Sequence, residues 1–356
     1  MKKILKPLCI VLLAVLVVVI GYVAYVFLTY YRIDDNTSIE VNDKTEAVLS
    51  ETGTYRAVTY NIGFGAYSPD FTFFMDGGTE SVAFSKEAVL ENTNGSINTV
   101  DKLGADFILM QEVDIDSTRS YHTNQLDMVS NHFNNYDVSF AQNYDSAFLC
   151  YPVLDPHGKS KSGIALLSKY NIESAMRRSL PISESFSKIL DLDRCFSVNN
   201  IPCDNGKSLY IYNVHLSAYG GSPEIRAAQV NMLVEDMKEK LANDNYVICA
   251  GDFNHTMPTN SAQEPVTNDW ATPFPHDELP KEMTLAENYV DPSITTCHDC
   301  DVPYVDGVSP SVTVDGFLVS DNIEVLRVEN LDTKFIFSDH NPVVLDFKLL
   351  YQIVNE

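Results

Sequence analysis

An unbroken run of 25 uncharged residues, 7–31, constrains this 356-residue chain more than any other feature. Its centre reads CIVLLAVLVVVIGYVAYVFLTYY, and about 20 such residues in a helix cross the hydrocarbon of a bilayer. Tyr22, Tyr25, Tyr30 and Tyr31 suit the aromatic belt at one membrane surface. A cleaved signal peptide has a shorter apolar region, roughly 7–15 residues, closed by small residues. No Ala-x-Ala closes this run, so an uncleaved signal-anchor is expected over residues 1–31. Lys2, Lys3 and Lys6 precede the span and Arg32 follows it. That asymmetry leaves the N-terminus in the cytoplasm and the rest of the chain outside.

Charge narrows the choice of partner. The chain has 24 Lys and Arg against 49 Asp and Glu. Four of those cations precede the first acid, Asp34, so the remainder carries 20 cations and 49 anions, a net of −29. Such a surface repels polyanions at long range. Seven cysteines define no disulfide framework. Cys9 lies in the span, and Cys195 and Cys203 flank one strand-like run, too far apart to bond if it is extended. Cys297-His298-Asp299-Cys300 resembles half a zinc site, but no second Cys-x-x-Cys or spaced His pair completes it. A local disulfide and a pair of free thiols both fit.

Residues 32–54 are polar and aperiodic, and read as a tether that lifts a folded unit, 55–356, off the membrane. No repeat or low-complexity block is visible. From Tyr55 onward the pattern is β-rich, with strand-like runs at 55–61, 106–112, 163–168, 209–217, 246–254, 314–320 and 342–350. Asp204-Asn205-Gly206-Lys207 marks a hairpin turn. Ser222-Pro223-Glu224 opens a helix whose Val230, Leu233, Val234, Met237 and Leu241 form one apolar stripe, a packing face. A second helix includes Ile97, Val100 and Leu103 and stops at Gly104. Two long irregular stretches, the aromatic 63–78 and 257–296 with Trp270, are candidates for a binding rim.

The strand-like runs share a chemical theme, a polar or acidic residue at the end of an apolar segment. Asn61 follows VTY, Glu112 follows ILMQ, His215 sits in YNVHL, and Asp252 and Asn254 follow VICAG. Asp315 precedes GFLVS, and Asp339-His340 precedes NPVVL. One acid at a strand end is usually solvated and inert, but strands of one sheet can bring several such ends to a common mouth.

These segments stand in order as TYNIG (59–63), LMQEVD (109–114), YNVHLSA (212–218), GDFN (251–254), VDGFLVS (314–320) and SDHNPV (338–343). In that order they resemble the endonuclease/exonuclease/phosphatase family, the DNase I-like hydrolases, over residues 55–350. The resemblance implies an α+β fold, a four-layer α/β/β/α sandwich of two packed sheets covered by helices. It implies a phosphoesterase that uses Mg²⁺ or Mn²⁺, with Glu112 as the main metal-binding carboxylate and Asn61 and Asp339 beside it. A hard divalent cation takes oxygen ligands and keeps several waters, which suits those side chains. By the same resemblance Asp252 orients or deprotonates the attacking water, and Asn254 holds a phosphate oxygen or the nucleophile. His215 and His340 face the phosphate, and Asp315 fixes the tautomer of His340. How these roles divide does not follow from the sequence.

Weaker candidates are Asp114, Asp116, Arg119 and His122, which either line a pocket or form a surface loop. Arg226 is expected in a structural ion pair. Lys159 and Lys161 either attract a phosphate or lie exposed in a turn, and His255 is a neighbour without a role. A non-specific nuclease needs cationic contacts to a phosphate backbone, and no basic cluster is present here. A generic phosphodiesterase or phosphatase therefore comes first, acting on a lipid headgroup, a nucleotide or a nucleic acid. An extracytoplasmic nuclease stands second, and a catalytically silent binding module of the same fold is the rival from another class. The membrane is the one partner implied, through the N-terminal helix; no protein partner is.

Overall fold

The computed structural model describes residues 2–185, 188, 192–218, 222–258, 271–287 and 289–350. Trp270, expected at a binding rim, lies outside them. Two seven-stranded mixed sheets stack face to face. The first runs, in spatial order, Thr37–Ile39, Ser174–Ser179, Cys195–Pro202, Ser208–His215, Tyr246–Asp252, Asp315–Ser320 and Met283–Leu285. The second runs Ile323–Asn330, Val343–Leu349, Thr54–Asn61, Phe107–Asp114, Lys161–Ser168, Asp137–Asp145 and Val41–Asn42. Each sheet has one parallel pair. Ser208–His215 lies beside Tyr246–Asp252, and Thr54–Asn61 beside Phe107–Asp114.

The layers follow from alternation along the strands. Tyr55, Ala57, Phe107, Leu109 and Leu345 of one sheet pack against Ile211, Ile248 and Phe317 of the other. Side chains of opposite parity, Val58, Tyr60 and Ile108, point outward onto Ile97, Val100 and Val129 of the helices Lys86–Asp101 and Gln125–His132. On the far face Tyr212, Val214, Val247 and Cys249 receive Val230, Leu233, Val234 and Met237 of the helix Pro223–Leu241. The expected α/β/β/α sandwich is the observed one. Ser222 caps its helix through Oγ and the N–H of Ile225, and Ser85 caps Lys86–Asp101 through the N–H of Ala88. Gly104 stands at φ +62 just beyond that helix, a conformation glycine adopts without cost.

The segment expected as a polar tether is built into the fold. Thr37–Ile39 pairs antiparallel with Arg177–Ala175, and Val41–Asn42 pairs with Ser139–Val138, so the segment adds an edge strand to each sheet. Leu49 is fully buried in the intersheet core, and its N–H donates to the Pro202 carbonyl at 3.1 Å. Strands of two and three residues are too short to show alternation, so composition alone described this stretch. Among the described residues one helix, Lys6–Thr29 within the longer Lys2–Thr29, is long and apolar enough to cross a membrane, and its side chains are mostly exposed. The cysteines are free.

Candidate active site

The two parallel pairs end at the same edge of the sandwich, and the strand ends carry the chemistry. Asn61 closes Thr54–Asn61 opposite Gln111, and Glu112 follows at φ +55 where the register shifts between Met110 and Val113. In the other sheet Asp252 lies opposite His215 on one side and Asp315 on the other. Asn61 joins the sheets. Its Nδ2 donates to Asp252 Oδ2 at 3.1 Å and lies 3.4 Å from both Glu112 Oε1 and His340 Nε2. The Asn61 backbone carbonyl accepts from Ser338 Oγ at 2.7 Å, and its Oδ1 accepts from the Gly63 N–H at 3.0 Å. Gly63 sits at φ +50, and a Cβ there would stand 2.7 Å from Asp339 Oδ1.

His340 is the hub. Its Nδ1 lies 2.7 Å from Asp315 Oδ2, and its Nε2 lies 3.7 Å from Asp252 Oδ2 and 4.0 Å from Asp339 Oδ2. His215 Nε2 stands 3.6 Å from Asp252 Oδ2 and 4.0 Å from Glu112 Oε1. Asn254, at φ +50, donates from Nδ2 to the Leu216 carbonyl and from its backbone N–H to Asp252 Oδ1, each at 2.9 Å. All eight residues singled out in the sequence thus meet in one place. Seven of them, Asp315 excepted, line or adjoin one pocket whose wall includes Glu112, His215, Asp252, Asn254, Asp339 and His340.

The environment drives the two histidines apart. Burial pushes His215 well below its ordinary value, and the charges of Arg194 and His340 add to the effect. Burial also opposes the charge on His340, but the Asp315 carboxylate, with Cys297, Asp339 and Asp252, outweighs it and raises His340 well above the usual range. One imidazole is held neutral and the other charged, the separation that acid–base chemistry uses. Burial pushes the Asp252 carboxyl up to about 7, partly offset by His340, and does the same to Asp339. Glu112 and Asp76 raise Asp339 further.

Such crowding of carboxylates suits a hard divalent cation, which would supply the missing positive charge. Glu112 and Asp339 are hard oxygen donors on the pocket wall, whereas the Asn61 amide oxygen, expected beside them, is engaged by the Gly63 N–H and the amide nitrogen faces Glu112. Asp252, Asp315 and His340 also present one ligand atom each within 4.8 Å of one another. There, however, the Asp315 oxygen is already engaged by His340 Nδ1.

The weaker candidates separate. Arg119 and Asp114 are buried together, with Nη2 donating to Oδ1 at 2.8 Å and Nε to Oδ2 at 3.1 Å. The guanidinium lies 3.9 Å from the Phe64 ring centroid and lines the pocket. His122 and Asp116 form an exposed pair away from it. Lys159 and Lys161 are not among the lining residues. Among the described residues Arg226 has no ion-pair partner of the expected kind; its Nη2 donates to the Asn254 carbonyl at 2.9 Å and props the loop beside Asp252. His255 bonds the Phe253 carbonyl outside the pocket. The aromatic stretch caps the core with Phe64, Tyr67 and Phe71, and supplies Phe73, Met75 and Asp76 to the rim.

Sequence reasoning missed several wall residues: Arg194, His157, Asn143, and the thiols Cys297 and Cys300 as neighbours of Asp339 and His340. Arg194 precedes its strand and belongs to no motif. Burial, then the Arg119 charge, pushes His157 down to about 4, and burial does the same to His255. A folded-state value below the unfolded one, near 6.5, gives stability that is full above pH 6.5 and is lost as pH falls toward about 4. By pH 5 each histidine is expected to cost on the order of 1–2 kcal/mol. Urea unfolding at pH 7.5 and pH 5 checks this. The acid-induced drop should shrink in His157→Gln/His255→Gln, and an equal drop in the variant would contradict it.

A family model described as Endonuclease/Exonuclease/phosphatase family matches residues 58–340. The chain belongs to the endonuclease/exonuclease/phosphatase family. Solved structures of this fold agree. An endonuclease/exonuclease/phosphatase from Beutenbergia cavernae superposes with TM-score 0.59 at 15% identity, over 83% of this chain and 72% of that one. D. rerio TDP2 complexed with a single-strand DNA product gives 0.52 at 13%, over 83% and 99%. The human Nocturnin catalytic domain with bound sulfate gives 0.52 at 18%, over 87% and 97%. No curated protein matches by sequence.

Proposed function

We propose that this member of the family is a membrane-anchored, divalent-metal-dependent phosphoesterase with its catalytic domain outside the cytoplasm. The observation that carries the reading is the Asn61–Asp252 bridge, which draws Glu112, His215, Asp339 and His340 around one pocket. Glu112 and Asp339 would hold Mg²⁺ or Mn²⁺, with Asn61 joining them if its amide turned its oxygen inward, and the metal would supply positive charge at the phosphoryl group and lower the pKa of bound water. His340, kept charged by Asp315, donates a hydrogen bond to a phosphoryl oxygen. Asp252, with its carboxyl near neutrality and its Oδ1 fixed by Asn254 N–H, takes the proton of the attacking water. Neutral His215 has an unpartnered, buried Nδ1 and leaves Nε2 to the substrate side. Asn254 holds the loop behind Asp252 through its bond to the Leu216 carbonyl.

The anchor rests on the length and exposure of the helix Lys6–Thr29 and on the lysines before it. A nuclease is the second reading, favoured by the DNA product on D. rerio TDP2 and opposed by the net of −29 beyond Arg32. A panel of phosphatidylinositol phosphates, sphingomyelin, nucleotides, RNA and plasmid DNA, assayed with the full chain and Mg²⁺ or Mn²⁺, tests both. Hydrolysis of a lipid or nucleotide ester that outpaces nucleic acid at physiological salt is expected. Cleavage of DNA or RNA alone would replace the first reading with the second.

A further inference from the structure

Between Asp145 and Asp155 the chain reads SAFLCYPVL, nine residues without a charge. Tyr151, Val153 and Leu154 are 67%, 81% and 99% exposed, and Phe148 is partly exposed beside them. Contiguous apolar side chains on a surface mark a binding face. What covers this one is set by its neighbour, the apolar N-terminal helix. Tyr22 Oη donates to the Phe148 carbonyl at 3.1 Å and accepts from the Cys150 N–H at 3.0 Å, while the Phe148 N–H donates to Tyr25 Oη at 3.3 Å.

The helix fixes the height of that contact. Tyr22 lies 16 residues beyond Lys6, the last charge before the span, a rise of about 24 Å. The hydrocarbon of a bilayer is about 30 Å thick. With Lys6 at the inner headgroups, Tyr22 and the loop bonded to it stand in the outermost part of the hydrocarbon, about 6 Å below the outer headgroups. The loop's backbone also suits that medium, where unpaired polar groups are costly. Besides the tyrosine bonds, Leu149 N–H and carbonyl pair with Gly158 at 3.0 and 3.1 Å, and the Tyr151 carbonyl accepts from His157 N–H at 3.1 Å.

We infer that the loop 146–154 seats in the outer leaflet beside the spanning helix and holds the rim of the active site at headgroup level. The inference rests on the anchor reading above. Insertion is driven by apolar area, since a net of −29 beyond Arg32 is repelled by anionic lipid. An aromatic path joins the loop to the pocket. The Tyr151 ring lies 5.8 Å from Phe74, and Phe74 lies 4.9 Å from Phe73 and 5.7 Å from His157. Phe73, His157 and the exposed Met75 line the site. A phosphoester projecting from the leaflet would meet the pocket without leaving the surface.

The full chain in phosphatidylcholine vesicles, with lipid carrying a doxyl quencher either near the headgroup or deep in the acyl chain, tests this. Cys9→Ser and Cys150→Ser remove the exposed thiols. A bimane is then placed singly at Val17→Cys in the helix, at Leu154→Cys, or at Asn243→Cys at the opposite end of the sheet. Loss of most of the emission at Leu154 with the shallow quencher and at Val17 with the deep one, with none at Asn243 with either, is the expected result. Quenching at Val17 without quenching at Leu154 would overturn the seating and leave the anchor standing. Quenching at neither would remove the anchor and this inference together.

Discussion

Asp252→Asn lowers the phosphoesterase kcat by roughly 10²–10⁴-fold, the span of positioned acid–base catalysis, while the protein stays folded. The size follows from where the carboxylate stands. Asp252 is buried, its Oδ1 accepts the Asn254 N–H, and its Oδ2 lies 3.1 Å from Asn61 Nδ2, 3.6 Å from His215 and 3.7 Å from His340. The amide keeps the first bond and the volume. Its NH₂ group, however, turns a donor toward the Asn61 donor and removes the proton acceptor from between the histidines. A second variant isolates position from charge. Asp315→Asn keeps His340 packed but removes the carboxylate that holds it protonated, so the loss is smaller and the acid side of the pH–rate profile moves. Single-turnover rates at several pH values separate the two. Equal, pH-independent losses in both variants would point to a structural role for the pair.

The second large effect is on stability. Arg119→Met destabilises the fold by about 3–5 kcal/mol, the cost of breaking a buried ion pair from one side. Asp114 is fully buried, and its carboxylate accepts from Arg119 twice and from Ser120 Oγ at 2.8 Å. Without the guanidinium a buried charge is left with one hydroxyl. The lost stacking on Phe64 adds to the effect. Asp114→Leu/Arg119→Met should recover much of the loss, because replacing both partners removes the uncompensated charge. Denaturant midpoints of the two single variants and the double variant measure this. Additive losses would show that the pair carries no coupling.

Much of this could be read before any coordinates. The alternation in VTYN, FILMQE and YVICAGD puts large side chains on both faces of strands that end in polar residues. The stripe Val230–Leu233–Val234–Met237 then supplies the covering helix. Residues at strand ends are legible because the sheet itself brings them together. Residues on separate loops are not, and Arg194, His157 and Cys300 reach the same pocket from segments with no shared pattern. Arg119 reads equally as a pocket or a loop residue, because nothing in the sequence shows the burial of its partner Asp114, five positions earlier. The edge strands at Thr37–Ile39 and Val41–Asn42 were hidden by their length, and the loop 146–154 gained meaning only beside Tyr22.

A carboxylate-held divalent cation and the Asn61–Asp252–His340 cluster are expected to hydrolyse phosphate esters together. The most direct test follows hydrolysis of bis(4-nitrophenyl) phosphate and 4-nitrophenyl phosphate by the full chain. Each is assayed after chelation, after Mg²⁺ or Mn²⁺ is restored, and in Glu112→Gln. Turnover of at least one ester is expected to disappear with chelator, return with metal, and in Glu112→Gln need far more metal or fail. Turnover unchanged by chelation, or a folded protein inert to both esters that binds neither metal, would contradict it.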